Sequence, residues 1–291
     1  MKIKEIDPKI CKKEIVGVSY SGGGNRGVVH IGALRAFLER KIVPTHVVGV
    51  SAGAFVAAFH AWDPATFNSF TDLKILFSFI NKAFIGLSPW QVIFKFLLNG
   101  NKVKSLGSSE KIKETLEKHL PFRNFVDLKI PLAIGATEIE TGQDHWFRSG
   151  PIIPALLASG ATPGLFPPVK IEGKAYIDGG VTDNLPLFEL AKKGCGVLYA
   201  VNAGYAGQTK REPKNFLENI IDARDIAQYQ TTRYEIELIK CMYPNIKIIP
   251  IDPGIGRDLS PYDFTPEKTE NALEESYQQT LKILSQNKFA S

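Results

Sequence analysis

The chain has 291 residues, of which 44% are hydrophobic, and this is enough apolar material for the core of one compact, enzyme-sized domain. It carries 35 lysines and arginines against 30 aspartates and glutamates, so its formal net charge is +5, spread along the chain without a basic block. A nucleic acid is therefore not expected as the main partner, whereas weak attraction to an anionic membrane surface stays open.

The cysteine pattern excludes two classes of protein. Cys11, Cys195 and Cys241 are far apart in the sequence, and none belongs to a CxxC or Cys/His pair with metal-ligand spacing. A disulfide scaffold and a zinc site are thus both excluded. The sequence predicts neither a bound metal ion nor a cofactor.

The N-terminal segment Met1–Pro8 carries charges where a signal peptide needs an apolar stretch. The later apolar runs are interrupted by Lys, Asn or Pro before they reach the roughly 18 residues of a membrane span. The sequence therefore predicts a cytoplasmic protein that is peripheral to membranes. Secretion by a route that needs no cleavable signal is left open.

Two strand–loop–helix units open the chain. Ile15–Tyr20 is a β-branched run that predicts a strand, and a glycine-rich loop at 22–27 and a helical apolar pattern follow it. His46–Val50 predicts a second buried strand, and Ala54–Ala61 predicts a helix of small residues. Two such units with short links predict a mostly parallel sheet that is covered by helices.

Residues 73–98 hold two apolar stretches. The first is Leu73–Ile80, and the second follows a helix start at Ser88 and Pro89, with seven apolar residues among the nine of Trp90–Leu98. Such a segment is either buried in the core or is a lid that contacts acyl chains or a lipid surface. The residues of the candidate lid are Trp90, Phe94 and Leu97.

The second half of the chain continues the alternation of strands and helices. Further strands are predicted at Ile130–Thr137, Gly196–Val201 and Ile246–Ile251. Residues Glu212–Lys240 predict a long polar amphipathic helix opened by Pro213. Because no repeat or break in composition marks a second domain, the sequence predicts one α/β domain over residues 1–291, with helices on both faces of the sheet in three α/β/α layers.

The loop Gly22-x-Gly24-x-x-Gly27 satisfies the dinucleotide-binding pattern. A Rossmann unit also needs an acidic residue near the end of the second strand to hold a ribose, and here that strand ends in Val50-Ser51. What remains is a glycine loop at a helix N-terminus, with approachable backbone N–H groups and a positive dipole behind them. Such a loop binds an anion, either a phosphate or a transient oxyanion.

The segment Gly49-x-Ser51-x-Gly53 is the nucleophile-elbow pattern, in which small flanking residues allow a sharp turn that exposes the serine hydroxyl. This turn and the glycine loop follow two successive strands, so they lie at the same edge of the predicted sheet. Open α/β sheets place their active sites at that edge. The combination predicts that Ser51 is a catalytic nucleophile.

A serine nucleophile needs a base, and the sequence offers few histidines for that role. The five histidines are His30, His46, His60, His119 and His145. None follows His145, where the order Ser, Asp, His of an α/β-hydrolase would require one. His30, His46 and His60 lie inside or at the ends of predicted elements, which favours structural roles. A carboxylate is therefore the remaining candidate base.

Four segments together resemble the patatin-like phospholipase family in their order and spacing, and they span residues 15 to about 205. They are Gly22-Gly23-Gly24-Asn25-Arg26-Gly27, Gly49-Val50-Ser51-Ala52-Gly53, residues 158–168 (ASGATPGLFPP) and residues 176–186 (YIDGGVTDNLP). On this resemblance, residues 15–205 form the motif core, and residues 212–291 complete the fold.

The resemblance implies a Ser-Asp dyad without histidine, in which Ser51 attacks an ester carbonyl and Asp178 takes its proton before an acyl-enzyme is hydrolysed. A carboxylate can serve as this base if a dry site raises its pKa and it lies within hydrogen-bond reach of the hydroxyl. Gly179 and Gly180 would allow that approach because their backbone is bare. Asp183 is interpreted as part of a structural turn.

The resemblance also implies that the glycine loop forms an oxyanion hole. The loop comprises Gly22, Gly23, Gly24, Asn25, Arg26 and Gly27, and the N–H groups around Gly23, Gly24 and Asn25 would hold the oxyanion. For the Arg26 side chain two roles stay open, a salt bridge that braces the loop and a contact with a substrate phosphate. The resemblance implies no need for calcium, and the sequence has no EF-hand loop.

Three functions are compatible with these patterns. The first is a lipid acyl hydrolase that acts on glycerophospholipids or lysophospholipids during transient contact with a membrane surface. The second is an acyltransferase or thioesterase that uses the same serine with a thioester carrier. Acyltransferases of the malonyl-carrier type pair their serine with a histidine about as far downstream as His145, but Asp144-His145-Trp146-Phe147 does not resemble their motif. The third is a binding protein that keeps the fold without turnover, and the intact serine, aspartate and glycine loop disfavour it.

Overall fold

One mixed β-sheet organises the chain. In the computed structural model, which describes residues 15–84, 109–208, 212–213, 215–252 and 265–287, eight strands form this sheet. The strands are β1 Val16–Tyr20, β2 His46–Val50, β3 Leu132–Glu138, β4 Asp144–Phe147, β5 Val169–Ile171, β6 Lys174–Asp178, β7 Val197–Val201 and β8 Lys247–Ile251. The helices are α1 Val28–Glu39, α2 Ala52–Trp62, α3 Asn68–Phe84, α4 Glu110–His119, α5 Ile152–Ser159, α6 Phe188–Lys192, α7 Phe216–Met242 and α8 Pro266–Gln286.

The centre of the sheet is parallel, as the sequence predicts. Strands β3, β2, β1, β7 and β8 pair side by side in the same direction. Strands β4 and β6 pair with β3 in the antiparallel sense, and β5 completes a hairpin with β6. These three strands have no counterpart among the predicted elements, because they are short and carry no uninterrupted apolar run.

Helices cover both faces of this sheet, which confirms the predicted three-layer fold class. Along β7, Val197, Tyr199 and Val201 pack into one buried cluster with α1, α2, α3 and α8. The alternate residues Leu198 and Ala200 point to the other face and pack into a second cluster with α6 and α7. A strand that is buried on both faces consists of a continuous apolar run, and this pattern allows β7 to be predicted from the sequence.

Strand β3 pairs with three other strands, and these pairings position the site. Its first half, Leu132–Gly135, pairs with β2, and its second half, Ala136–Glu138, pairs with β6. Strand β4 pairs with Ile134–Thr137 and so overlaps both of these pairings. Because each edge of a strand holds one partner at a given residue, β4 takes one edge and β2 and β6 share the other. The C-terminal ends of β2 and β6 therefore meet.

The start of the long polar helix differs from its predicted position. The sequence predicts a helix opened by Pro213, whereas α7 begins at Phe216 and is capped by Asn215. The side-chain Oδ1 of Asn215 accepts a hydrogen bond of 2.9 Å from the N–H of Glu218. An asparagine N-cap satisfies an otherwise unpaired backbone donor, and this outweighs the preference of proline for the first turn.

The first apolar stretch of residues 73–98 is a core helix face. In α3, Leu73, Leu76, Phe77 and Ile80 are buried at helical spacing, whereas Ile75 is 48% exposed. The second stretch, with the candidate lid residues Trp90, Phe94 and Leu97, lies outside the described residues, and the lid stays a prediction. Among the described helices, none combines the length and the apolar character needed to cross a membrane. The single domain over 1–291 also stays a prediction.

Close packing of α1 against α8 generates a stability prediction at Gly32. A Cβ atom at this position would lie 2.4 Å from the Leu273 carbonyl oxygen and 2.9 Å from the backbone nitrogen of Tyr277. Alanine favours a helix over glycine by about 1 kcal/mol, but overlap with a neighbouring backbone costs about 1–3 kcal/mol. We expect Gly32→Ala to lower the free energy of unfolding in urea. Gln279→Ala, at an exposed position of α8, serves as the control, and an unchanged or higher stability of Gly32→Ala would contradict this packing.

Candidate active site

Ser51 forms a strained elbow between β2 and α2. Its backbone angles are φ 51° and ψ −126°, a combination that side-chain-bearing residues rarely adopt. The flanking glycines are required by close approach. A Cβ at Gly49 would lie 2.5 Å from the Gly53 carbonyl oxygen, and one at Gly53 would lie 2.4 Å from the Tyr20 carbonyl oxygen. The predicted sharp turn is thus present, with Ser51 at its tip.

A second serine holds the elbow in place. The Ser51 N–H donates a hydrogen bond of 2.8 Å to Ser159 Oγ, and that hydroxyl donates one of 2.6 Å to the Gly135 carbonyl oxygen. Ser159 is fully buried at the end of α5. It lies in the segment that carries the family resemblance, but a lone serine in a helix gives the sequence no signal of this bridging role.

Asp178 ends β6 and faces the elbow. Its Oδ2 accepts a hydrogen bond of 2.7 Å from Ser51 Oγ and another of 2.9 Å from Thr162 Oγ1, while its Oδ1 accepts one of 2.9 Å from the Gly180 N–H. Burial raises the pKa of the Asp178 carboxyl above its ordinary value, although these hydrogen bonds and the positive charge of Arg224 act in the opposite direction. The carboxylate is therefore a stronger base than an exposed aspartate.

The two glycines after Asp178 let its loop lie against β3. A Cβ at Gly179 would lie 2.4 Å from the Gly135 carbonyl oxygen, and one at Gly180 would lie 2.6 Å from Asn184 Oδ1. A side chain at position 179 would overlap the backbone of β3, and one at position 180 would displace the Asn184 side chain. Glycine at both positions thus lets the loop lie close to β3, where Asp178 contacts Ser51.

The glycine loop of residues 22–27 turns through a short 3-10 helix, Gly24–Gly27, before α1 begins. The Gly22 N–H donates to the Asn184 carbonyl oxygen at 3.0 Å, and the Arg26 N–H donates to the Gly23 carbonyl oxygen at 3.2 Å. These two N–H groups are therefore occupied by hydrogen bonds within the protein. The first N–H groups of a helical turn have no partner within the turn, so the N–H groups around Gly23, Gly24 and Asn25 stay the predicted donors to a ligand.

Two further members of the loop have packing roles. Asn25 is buried, and a Cβ at Gly27 would lie 2.7 Å from the ring of Phe77 and 2.9 Å from the Cβ of Ala52. The loop thus packs between α3 and the first turn of α2. This packing holds the backbone N–H groups of the loop beside Ser51.

The Arg26 side chain forms a buried ion pair. Its Nη1 lies 3.1 Å from Asp225 Oδ2 on α7, with the two side chains only 8% and 3% exposed. Of the two roles that the sequence leaves open for Arg26, the structure supports the salt bridge that braces the loop. The partner, Asp225, is 199 residues away and has no marker in the sequence.

Two histidines have structural roles, as predicted. His30 Nε2 donates a hydrogen bond of 2.7 Å to the Ser21 carbonyl oxygen, and burial lowers its pKa to about 4. His60 Nδ1 shares a hydrogen bond of 2.9 Å with the Tyr20 hydroxyl, and burial lowers its pKa to about 3. Both side chains are therefore neutral at physiological pH.

His145 lies away from the elbow. It pairs with Ala136 from β4, whereas Asp178 pairs with the same residue from β6 on the opposite edge of β3. Its ring packs against those of Phe147 and Tyr176, with centroids 4.5 Å and 5.0 Å away. The geometry thus offers no contact between His145 and Ser51.

A small cleft opens above Ser51. Its lining residues are Gly22, Gly23, Gly24, Arg26, Ser51, Thr162, Pro163, Asp178, Gly180, Val181, Asn184, Gly204, Arg224, Asp225 and Gln228. Within the part of the chain that the structure describes, no histidine lines this cleft. The cleft thus holds the Ser51 hydroxyl, the buried Asp178 carboxylate that accepts its hydrogen bond, and the glycine loop.

Asp183 belongs to the turn beneath this cleft. Its N–H donates to the Gly179 carbonyl oxygen at 3.0 Å, in agreement with a structural turn. Burial, together with the nearby charge of Asp144, raises its pKa to about 7. It interacts with Glu235, whose pKa is also raised by burial and which accepts a hydrogen bond from the Phe188 N–H. The hydrogen bond from Phe188 to Glu235 ties α7 to the start of α6.

In the described residues, no group of three or more histidine, cysteine, aspartate or glutamate side chains is arranged to hold a metal ion. The groups of the cleft that bear on chemistry are the Ser51 hydroxyl, the Asp178 carboxylate and the glycine loop. A hydroxyl that donates to a carboxylate of raised pKa can attack an electrophilic carbonyl, provided that the oxyanion is held.

Comparison with known proteins gives similarities in sequence and in fold. A family model described as patatin-like phospholipase matches residues 18–191. The lysophospholipase NTE1 of Candida glabrata is 29% identical over 198 residues, which are 67% of this chain and 11% of that protein. The lysophospholipase NTE1 of Scheffersomyces stipitis is 30% identical over 209 residues, 72% of this chain and 13% of that protein. The chain therefore matches only a small part of these relatives.

A solved structure has a similar fold. The crystal structure of VipD from Legionella pneumophila superposes with a TM-score of 0.52 at 18% sequence identity, and the match covers 94% of this chain and 67% of that one. This similarity extends to the three-layer arrangement of sheet and helices.

The contacts of Asp178 generate a prediction for Thr162. In the predicted dyad Asp178 must be ionised to accept the Ser51 proton, so we expect the rate of Ser51 labelling by a fluorophosphonate to fall as the pH drops through the pKa of Asp178. Thr162→Val removes a hydrogen bond to the ionised form and raises that pKa, so we expect the midpoint to shift to higher pH by up to about one unit. Thr162→Ser keeps the hydroxyl and the midpoint. A midpoint that stays or falls in Thr162→Val would show that this hydroxyl does not tune the base.

Proposed function

The chain belongs to the patatin-like phospholipase family, and we propose that it is a lipid acyl hydrolase that cleaves carboxyl esters of glycerophospholipids or lysophospholipids through Ser51 and Asp178. The observation that carries this proposal is the 2.7 Å hydrogen bond from Ser51 Oγ to Asp178 Oδ2 in a buried site. The similarity to lysophospholipases of yeasts supports the substrate class.

In the first half of the proposed reaction, Ser51 Oγ attacks the ester carbonyl carbon and its proton passes to Asp178 Oδ2. The N–H groups of Gly23 and Gly24 bind the oxyanion of the tetrahedral intermediate, an interaction typically worth about 3–4 kcal/mol of barrier. The intermediate then collapses, the carbon–oxygen bond to the alcohol breaks, and Asp178 returns the proton to that alcohol. An acyl-enzyme on Ser51 remains.

In the second half, water attacks the acyl-enzyme and Asp178 accepts one of its protons. Collapse of the second tetrahedral intermediate releases the fatty acid and returns the proton to Ser51 Oγ. The raised pKa of Asp178 serves both halves, because a stronger base takes the proton of a hydroxyl or of water more readily. This sequence of steps uses no metal ion and no cofactor.

The alternative of acyl transfer from a thioester carrier, with His145 as the base, is not favoured by any contact in the site. His145 and Asp178 lie on opposite edges of β3, and the base that contacts Ser51 is Asp178. We further propose that hydrolysis takes place during transient contact with a membrane surface, since the esters of such a substrate reside in lipid aggregates.

The role of the nucleophile is tested by Ser51→Ala. We expect hydrolysis of a lysophospholipid and of a chromogenic acyl ester to fall by about 10⁴- to 10⁶-fold, because the attacking atom is absent. Covalent labelling by a fluorophosphonate should disappear in parallel, with the melting temperature unchanged within a few degrees. Ser78→Ala, at an exposed position of α3, is the control. Stoichiometric labelling of Ser51→Ala would assign the chemistry to another nucleophile.

The role of the base is tested by Asp178→Asn against His145→Ala. The amide keeps the shape of the carboxylate but cannot accept the Ser51 proton, so we expect a loss nearly as large as that of Ser51→Ala. His145→Ala should lower kcat by less than about tenfold, since its ring packs against Phe147 and Tyr176 and not against Ser51. An inactive, folded His145→Ala beside an active Asp178→Asn would refute the dyad and favour acyl transfer.

A further inference from the structure

Helix α7 forms the wall of the cleft opposite the glycine loop. It contributes Arg224, Asp225 and Gln228 to the cleft lining. Gln228 Nε2 donates a hydrogen bond of 2.7 Å to the Gly180 carbonyl oxygen, which fixes this face of the helix beside the loop of Asp178. Arg224 lies one turn earlier on the same face. The guanidinium of Arg224 therefore shares one cleft with Ser51.

The two arginines near this wall differ in their exposure to the cleft. Asp225 Oδ2 lies 3.1 Å from Arg26 Nη1, and its Oδ1 lies 3.1 Å from Arg224 Nη2. The Asp225 carboxylate thus lies between two guanidinium groups. The Arg26 side chain is 8% exposed and the Arg224 side chain is 35% exposed, so the positive charge that a ligand can reach is that of Arg224.

We infer that Arg224 binds the phosphate of the substrate headgroup and makes the cleft selective for phosphate-bearing acyl esters over neutral glycerides. This inference rests on the proposed hydrolysis of lipid esters. In a glycerophospholipid the phosphate lies a few covalent bonds from the ester carbonyl, so the group that binds it must lie in the same cleft as the nucleophile. The planar guanidinium of arginine matches the oxygens of a phosphate with paired hydrogen bonds.

The electrostatics of the dyad agree with this placement. The positive charge of Arg224 favours the ionised form of Asp178 and lowers its pKa against the effect of burial. Its field therefore reaches the dyad. A phosphate bound at Arg224 cancels part of that field, which raises the pKa of Asp178 and makes it a stronger base when a phosphate-bearing substrate is present.

The experiment compares two esters with the same acyl chain, 1-palmitoyl-lysophosphatidylcholine and 1-palmitoylglycerol, in micelles of a neutral detergent. The proteins are the wild type, Arg224→Gln, Arg224→Lys and, as a control, Arg233→Gln at an exposed position of α7 outside the cleft. We expect Arg224→Gln to lower the ratio of kcat/KM between the two esters by about ten- to a hundredfold, mostly through KM, as for the loss of one charge-assisted hydrogen bond. Arg224→Lys should recover part of the ratio, and Arg233→Gln should keep it.

Binding is measured in parallel with ether analogues that have no ester to cleave, 1-O-hexadecyl-lysophosphatidylcholine and 1-O-hexadecylglycerol. The wild type should bind the phosphate-bearing ether more tightly, and Arg224→Gln should lose that preference while it keeps the melting temperature of the wild type. If neither ester is cleaved but the preference depends on Arg224, the proposed function fails and the phosphate site stands. If the esters are cleaved but Arg224→Gln affects both substrates equally or neither, the phosphate site is refuted and the proposed function stands.

Discussion

The hydrogen bond between Ser51 and Asp178 depends on the pairing of two strands, β2 and β6, with the same edge of β3. Val50, the last residue of β2, pairs with Gly135, and Asp178, the last residue of β6, pairs with Ala136 on the same edge. The neighbouring positions on β3 bring the two strand ends together from opposite directions. The two side chains are 127 residues apart in sequence, and the register of the sheet sets their 2.7 Å separation. A nucleophile and base on strand ends are held more rigidly than a pair on loops.

Asp178 is under two opposing influences. Burial disfavours its charge, whereas donors from Ser51, Thr162 and Gly180 stabilise that charge. The net shift of its pKa is upward, so burial outweighs the hydrogen bonds. In the proposed reaction, Thr162 and Gly180 orient the carboxylate, and its raised pKa makes it basic enough to accept the proton of Ser51 without a histidine. The site consequently depends on a dry cleft, because water entry would lower the pKa of Asp178.

Patterns of glycine and apolar residues are sufficient to predict much of this arrangement. Gly49 and Gly53 mark the elbow because neighbouring backbone atoms leave no room for a side chain, and that constraint is local. The hydroxyls of Ser159 and Thr162 are different, because their partners lie on other elements and a lone hydroxyl residue has no characteristic pattern. The pairing of Arg26 with Asp225 is likewise a long-range contact, and no local pattern in a single sequence predicts it.

The cleft is composed of two parts of the chain that differ in their relation to the family. Ser51, Asp178 and the glycine loop lie within residues 18–191, which match the family model, whereas Arg224 and Gln228 lie on α7 outside that match. Helix α7 is nevertheless tied to the first part through the Arg26–Asp225 ion pair and through the contact of Gln228 with Gly180. Chemistry that is common to a family resides in the matched part. In the proposed function, α7 supplies the contact with the headgroup, and the matched part supplies the nucleophile and the base.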